Sequence, residues 1–564
     1  MTSATSDLRG PVDHSARGAA LDTAHVGDIR GALGTISVDD IAARKSASAK
    51  LKTLLAIVGP GLIVMVGDND AGAFSTYGQA GQNYGTHLLW TFVLLVPILY
   101  VNQEMVLRLG AVSGVGHARL ILERFGRFWG AFSVIDLFLL NALTIVTEFI
   151  GITLAAGYLG VPKIVAVLLA GLVIVASAMT GSFRRFERIA IAFCAGSLLL
   201  IPLYVLSHPA AGQVATGFVL PTMPGGSGQL GTVMLLIIGI VGTTVAPWQL
   251  FFQQSYVIDK RITPRFIPYE KADLVIGIVV VIVGGAALMG ATAAAFAGTA
   301  AAGHYTDAAG LAAGIAASAG KAAGALFAVA LLDAAMIGAF AVSLSTAYAL
   351  GDVLGLKHSL HRGVRQAKGF YVMYAALIAG AATIVLIPGS PLGLFTEGVQ
   401  VLAGVLLPSA TVFLLLLCND KAVLGPWVNG RFTNAFTGAV IALLVMLSLI
   451  LVTSVTFPHV SSRQILMIMI GFAGLALVVV TAIVMRGRRG HAGAQAVPAG
   501  LGEPDRLTRP DAMSKENWRM PALTMLAPVQ MSVGRRLALA GMWVYLVIAM
   551  GAVVFRIVEV AMGH

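Results

Sequence analysis

Apolar stretches of about twenty residues, the length at which a helix crosses the hydrocarbon core of a bilayer, recur along most of this 564-residue chain. Hydrocarbon leaves backbone polar groups no partner outside their own segment, so such stretches are expected to be helices. About thirteen candidate spans can be drawn, at 53–78, 86–107, 128–157, 161–180, 189–207, 230–257, 272–298, 322–351, 369–388, 395–417, 434–456, 464–485 and 537–559. Hydrophobic residues make up 57% of the chain and charged residues 11%, against about 45–50% and about 25% in soluble domains. No water-soluble core holds that much apolar surface, and the expected fold class is an all-α polytopic membrane protein.

The formal net charge of +11 raises nucleic acid as a partner, and the placement of the charge answers it. With the amino terminus cytoplasmic, about 33 of the 37 Lys and Arg fall in the leading tail, the loops on that side and the last linker. That is the positive-inside bias of a bacterial inner-membrane protein. The partner implied is the lipid bilayer, not nucleic acid. Cys194 and Cys418, the two cysteines, lie within or at the end of apolar spans and supply neither a disulfide framework nor a thiolate metal centre. No Gly-rich phosphate loop with a Lys, no HExxH and no GxSxG occurs, so no enzyme and no resident cofactor are expected. His87, His117, His358 and His361 fall in loops or at span ends, which argues against a His-based metal cluster.

Four pieces are expected along the chain: a disordered cytoplasmic tail at 1–50, a transmembrane block of about twelve helices at 51–486, a flexible cytoplasmic linker at 487–535 rich in Gly, Pro, Ala and Arg, and one extra transmembrane helix at 536–564. The polar tail has no apolar core segment and so is not a signal peptide.

Two spans differ from the rest. The first contains GPGLIVMVGDNDAGAF, with Asp68, Asn69 and Asp70 between Gly67 and Gly72; the sixth contains GIVGTTVAPWQLFF, with Gly242, Thr243, Thr244 and Pro247 at its middle. Gly and Pro there mark places where a helix unwinds. Irregular backbone at membrane depth is tolerated only where it lines a cavity or is buried in protein. Two breaks five spans apart match the LeuT-like inverted 5+5 helix repeat of secondary transporters, with broken first and sixth helices and peripheral helices around it.

A carboxylate at mid-membrane costs at least about 2.5–3.5 kcal/mol on insertion scales, so it pairs with a cation or lines a water path. Asp70 is the leading candidate, with helix capping as the structural alternative. Asp68, two residues away, cannot face the same point on a regular helix and caps or lines a vestibule; Asn69 stays open. In the sixth span the carbonyls from Thr243 to Ala246 and the hydroxyls of Thr243 and Thr244 complement Asp70, with ordinary helix packing as the alternative for both threonines. All are hard oxygen donors that suit magnesium, manganese or calcium. Glu104, Asp136, Glu148, Asp333 and Glu397 are further intramembrane acids, and Glu148, deep in the third span, is the proton-relay candidate. Gln400 either hydrogen-bonds a hydrated ion or packs.

The run GPGLIVMVGDNDAGAFSTYGQAGQNYGTHLLW with NQEMVLRLGAVSG and LILERFG resembles the first two spans of the natural resistance-associated macrophage protein family of divalent-metal transporters, and GIVGTTVAPWQLFFQQS resembles that family's sixth span. The resemblance covers roughly residues 53–456 and implies the inverted-repeat architecture. It keeps the metal-binding Asp at Asp70 but departs elsewhere. The family's first-span Asn ligand is Ala73 here, and its sixth-span Met ligand is Ala246. The family's sixth-span His positions align with Trp248 and Gln253, and the second acid of its third span is Gly151. Loss of the soft sulfur removes discrimination against hard ions, leaving Asp70 with backbone carbonyls from about Gly67 and Thr243. That pattern is similar to the family's magnesium-transporting branch. The expectation is a carrier of Mg²⁺, with Mn²⁺ plausible as cargo, and with weak or absent proton coupling. The alternatives are a proton-coupled Mn²⁺/Fe²⁺ importer of the ordinary type and a non-transporting sensor.

Overall fold

The computed structural model describes residues 22–224, 230–388 and 392–456, together with positions between 464 and 551. A two-residue antiparallel pair, β1 (Ile29–Arg30) with β2 (Thr35–Ile36), precedes the helices. The first set is α1 (Ala47–Ile57), α2 (Pro60–Val66), α3 (Ala71–Tyr84), α4 (Trp90–Ser113), α5 (His117–Phe125), α6 (Arg127–Tyr158), α7 (Lys163–Ala178), α8 (Phe183–Gly196) and α9 (Leu200–Ser207). The second is α10 (Ala211–Val219), α11 (Leu230–Thr244), α12 (Pro247–Asp259), α13 (Ile267–Phe296), α14 (Ala308–Ala319), α15 (Lys321–Leu354), α16 (Lys368–Val385) and α17 (Leu392–Cys418). α18 (Lys421–Leu424) and α19 (Arg431–Thr456) follow. Among the described residues nine helices are long and apolar enough to cross a membrane, or ten if the bent pair α1 and α2 is one span.

The two sets repeat one plan. Each runs from a short helix (α1, α10) through an interrupted pair (α2 and α3, α11 and α12) to one span (α4, α13). A second short helix (α5, α14) and three more spans (α6, α7 and α8 with α9; α15, α16 and α17) complete it. Packing follows the same exchange. α2 and α3 lie on α13 as α12 lies on α4, α8 meets α15 as α17 meets α6, and α6 with α15 forms the central pair. Five spans per repeat is an odd number, so the second copy runs opposite to the first.

The breaks are unequal. Gly67 to Asp70 separate α2 from α3, whereas only Val245 and Ala246 separate α11 from α12, where Pro247, lacking an N–H, starts the new helix. Unwinding expected from Gly242 onward is therefore confined to two residues. Gly242 stays helical because its role is close approach: a Cβ there would overlap the Gln400 carbonyl oxygen and the Gly404 nitrogen of α17. A third irregularity bends α1 against α2 by 53° at Gly59, whose φ of +156° and close approach to Glu187 and Lys260 leave no room for a side chain.

The tail differs from the expected disordered segment from residue 22 onward. Its polar composition shows no apolar periodicity, yet charged side chains distant in sequence, from α8 and the loop after α12, satisfy its backbone. Glu187 Oε2 accepts from Ala32 N–H at 2.6 Å, Arg261 donates to the Ala24 carbonyl at 2.9 Å and Arg188 to the Ala32 carbonyl at 3.0 Å. Arg362 binds Asp22 at 2.6 Å. The linker likewise docks over part of its length: Ala512–Asn517 is helical, and Met520 N–H donates to the Val112 carbonyl at 3.2 Å. Residues 1–21, most of the 464–485 span and the end of the last span lie outside the described residues; Leu539–Gly551 is an apolar helix.

Candidate cation site at the two broken helices

Asp70 caps α3: its φ of −77° and ψ of −170° turn the chain out of the break, and Oδ1 accepts from Ala73 N–H at 2.9 Å. Capping occupies that oxygen with the first turn's amides and sets the carboxylate at the positive end of α3. The rest of the group faces α6 and α15. The Glu148 carboxyl lies beside it, and Glu148 Oε2 accepts from the N–H of Ala71, the residue after Asp70, at 3.1 Å. Gly338 of α15 makes room for both, since a Cβ there would stand 2.6 Å from Glu148 Oε2 and 2.9 Å from Asp70 Cβ. Two buried carboxyls this close repel each other when both are ionised, an arrangement that a bound cation relieves.

Gln400 joins the two breaks. A Cβ at Gly72 of α3 would overlap its amide nitrogen and lie 3.1 Å from Asp70 Oδ1, while its carbonyl packs on Gly242 of α11. Its Nε2 is buried without a partner, as are Glu148 Oε1 and Thr243 Oγ1. Buried polar atoms are normally satisfied, and the two orphans beside Asp70, on Gln400 and Glu148, fit a hydrated ion.

Asp70, Ala73, Glu148 and Gln400 thus come together at one place. Gly67 lies at the other end of the first break, 3.4 Å by its would-be Cβ from the Trp248 indole, so an aromatic edge takes the space beside its carbonyl. Thr244 is committed elsewhere: its hydroxyl bonds Tyr77 Oη at 2.6 Å and the Ile240 carbonyl at 2.6 Å, the packing alternative. Thr243, one residue earlier, keeps a free buried hydroxyl. Ala246 adopts extended backbone (φ −84°, ψ 145°) ahead of α12, and only a methyl group stands there. Asn69 turns to α13, donating to the Val281 carbonyl at 3.2 Å.

Asp68 belongs to a second polar chain. Its Oδ1 accepts from Gln249 Nε2, and Gln249 Oε1 accepts from Gln103 Nε2 at 2.9 Å. All three side chains are fully buried. Gln249 and Gln103 escaped the sequence reading. The signal available was the amide-rich run QLFFQQ in an otherwise apolar span. At Gly151 a side chain would run into Ala71 Cβ and come within 3.2 Å of Ala335 Cβ, so the third-span position that resembles an acid in the family has no room for one. Among the described residues no three His, Cys, Asp or Glu side chains converge as a metal centre. The groups that could meet a cation at the breaks are carboxylate, amide, hydroxyl and carbonyl oxygens, all hard donors, with no thioether or imidazole among the residues named.

A family profile described as "Natural resistance-associated macrophage protein-like" matches residues 61–454. The divalent metal cation transporter MntH of Ralstonia nicotianae is 31% identical over 428 residues, covering 72% of this chain and 92% of that relative. MntH 1 of Pseudomonas aeruginosa is 28% identical, covering 70% and 91%. The crystal structure of the Eremococcus coleocola manganese transporter superposes with a TM-score of 0.59 at 21% identity, covering 80% of this chain and 98% of that one; at this identity the match establishes the fold. With 394 residues matched between 61 and 454, this multi-pass membrane protein belongs to the natural resistance-associated macrophage protein family.

Proposed function

We propose that this chain carries divalent metal cations across the membrane by alternating access around Asp70, and that its oxygen-based donor set admits Mg²⁺ alongside Mn²⁺. The observation that carries this is the meeting of the Asp70 and Glu148 carboxyls with the Gln400 amide between the two broken helices, with the Thr243 hydroxyl buried and unpartnered in the second of them. Magnesium gives up its waters reluctantly and usually keeps several. Alanine at 73 and 246 leaves space for those waters where longer ligands would strip them. The relatives named as divalent metal cation transporters support the cargo class.

A second reading, a proton-coupled Mn²⁺ importer, is favoured by the Asp70–Glu148 contact, which carries a proton when no cation is present, and by the neighbour named as a manganese transporter. Uptake into proteoliposomes separates the two. The hard-site reading expects Mg²⁺ and Mn²⁺ uptake that requires Asp70, tolerates Cd²⁺ as competitor and leaves the lumen pH unchanged. Exclusion of Mg²⁺ with strong Cd²⁺ competition and metal-driven acidification establishes the importer instead.

A further inference from the structure

We propose that a cavity between α4, α13 and the start of α19 is a binding site for a phosphate-bearing anion at the level of the inner-leaflet headgroups. The cavity has a volume of about 380 Å³, within the roughly 300–1,000 Å³ of ligand pockets. It is lined by Glu104 and Arg108 of α4, Lys271 of α13, Trp427, the first turn of α19 and Lys515 of the docked linker.

The charge there is unbalanced. Glu104 is the one acid, and two cations share it: Arg108 Nη2 at 3.1 Å and Lys271 Nζ at 2.9 Å. Lys515 adds a third cation, 4.5 Å over the Trp427 ring. The sum is +2. Arg108 is spent on structure, donating to the Trp427 carbonyl and to Asn429 Oδ1 at 2.6 Å, which fixes the loop. Lys271, whose side chain is 37% exposed, and Lys515 keep ammonium donors for a ligand.

A second observation points to an anion independently. Gly430, Phe432 and Thr433 line the same cavity, so the amino end of the 26-residue α19 opens onto it. First-turn amides of a helix have no partner within the helix, and the aligned peptide dipoles favour negative charge there. Phe432, 81% exposed, stands beside the cavity as an apolar neighbour for an acyl chain. A basic pocket between transmembrane helices on the positively charged side is the arrangement that holds acidic headgroups. Lipid headgroup and free phosphate share this chemistry, and a phosphate whose negative charge is not neutralised within its own headgroup is what the site recognises.

The test uses the full-length protein in detergent, titrated separately with phosphatidylglycerol, phosphatidylcholine and inorganic phosphate, with the unfolding midpoint and native mass spectrometry as readouts. Phosphatidylglycerol is expected to bind and raise the midpoint, and phosphatidylcholine to do neither. Lys271→Gln with Lys515→Gln is expected to weaken binding about thirtyfold, from roughly fivefold per ammonium at a membrane surface. Lys515→Gln alone, at an exposed helix, controls for misfolding and is expected to give the single-site loss. An equal response to inorganic phosphate assigns the site to soluble phosphates; a response to the lipid alone assigns it to the headgroup. Binding of phosphatidylglycerol that is unchanged in the double variant, or matched by phosphatidylcholine, overturns the proposal.

Discussion

Ala246 is 5% exposed and holds an extended backbone at the second break, where the resemblance places a thioether. Restoring the sulfur should restore its chemistry. Ala246→Met is expected to make Cd²⁺ compete with Mn²⁺ uptake at about tenfold lower concentration, roughly 1.4 kcal/mol of softer coordination, and to depress Mg²⁺ uptake. Unchanged Cd²⁺ inhibition would place residue 246 away from the ion path. The adjacent threonines should separate as cleanly. Thr243→Val is expected to slow uptake with little loss of stability. Thr244→Val strands the buried Tyr77 hydroxyl and is expected to cost about 1–3 kcal/mol of stability, seen as a lower unfolding midpoint, while uptake persists. At this scale the sequence disclosed Asp70 and Glu148 because a carboxylate in an apolar run is too costly to be idle. It did not disclose which threonine hydroxyl is bonded and which is left unpartnered, since neighbours on a helix point about 100° apart and the helix's rotation is set by tertiary packing. Nor did it disclose the Asp68–Gln249–Gln103 chain, whose neutral amides raise no alarm and whose first bond joins residues 181 apart.

Residues 22–36 form a strap across the ends of α8, α12 and α15, and they reach the first broken helix through one relay. Ala32 N–H binds Glu187, Glu187 binds Lys260 at 2.7 Å, and Lys260 Nζ binds the Ile57 and Val58 carbonyls at 2.6 and 2.8 Å at the bend between α1 and α2. Lys260 and Glu187 are fully buried, so releasing the strap uncovers a charged pair that is expensive to strand. Two histidines pin its start. His25 sits 3.6 Å from Asp259 and edge-on to the His358 ring at 5.4 Å, with Asp22 and Asp352 also facing it. Burial lowers its pKa below the ordinary value despite those acids. Burial would lower His358 too, but the Asp352 carboxylate at 2.9 Å holds it up to about 9. A lowered histidine contributes stability above its unfolded value of about 6.5 and loses it as pH falls. A raised one contributes below that value and loses it as pH rises through its folded value. The strap is therefore expected to be most protected from amide exchange, after correction for the intrinsic rate, at about pH 6.5 and to lose protection both below it and as pH rises toward about 9. Protection at residues 22–36 that stays flat from below about pH 6.5 to about 9 would exclude the histidines as pins. Asp22→Ala, which removes the acceptor of the Arg362 guanidinium and of His358 N–H, is expected to raise exchange throughout. Nothing in the tail's composition announces this element, because its partners on α8 and in the loops after α12 and α15 lie 149 to 340 positions away.

The architecture of the whole molecule was legible because it rests on features a single sequence carries: span length, the spacing of two Gly- and Pro-marked breaks, and charge bias between loops. Helix pairing supplies what the sequence lacked, the exchange that maps α2 and α3 on α13 onto α12 on α4 and sets Gln400 of α17 against both broken helices. Such a molecule has a voltage signature fixed by the charge it moves. Each elementary charge crossing the membrane is worth about 2.3 kcal/mol per 100 mV, so a bare divalent cation gains about 4.6 kcal/mol, roughly three decades of accumulation. The strap, the basic loops and the linker belong to the cationic part of the chain, which the positive-inside bias predicts to face inward. In proteoliposomes with a potassium diffusion potential of about 100 mV, negative inside, Mn²⁺ is expected to accumulate toward that three-decade limit without change in lumen pH. If the potential is collapsed, accumulation should fall to equilibration while initial entry continues. A lumen that acidifies in step with Mn²⁺ would mean that the Asp70–Glu148 pair hands on its proton when the cation binds, and Glu148→Gln would then abolish acidification while leaving metal entry in place.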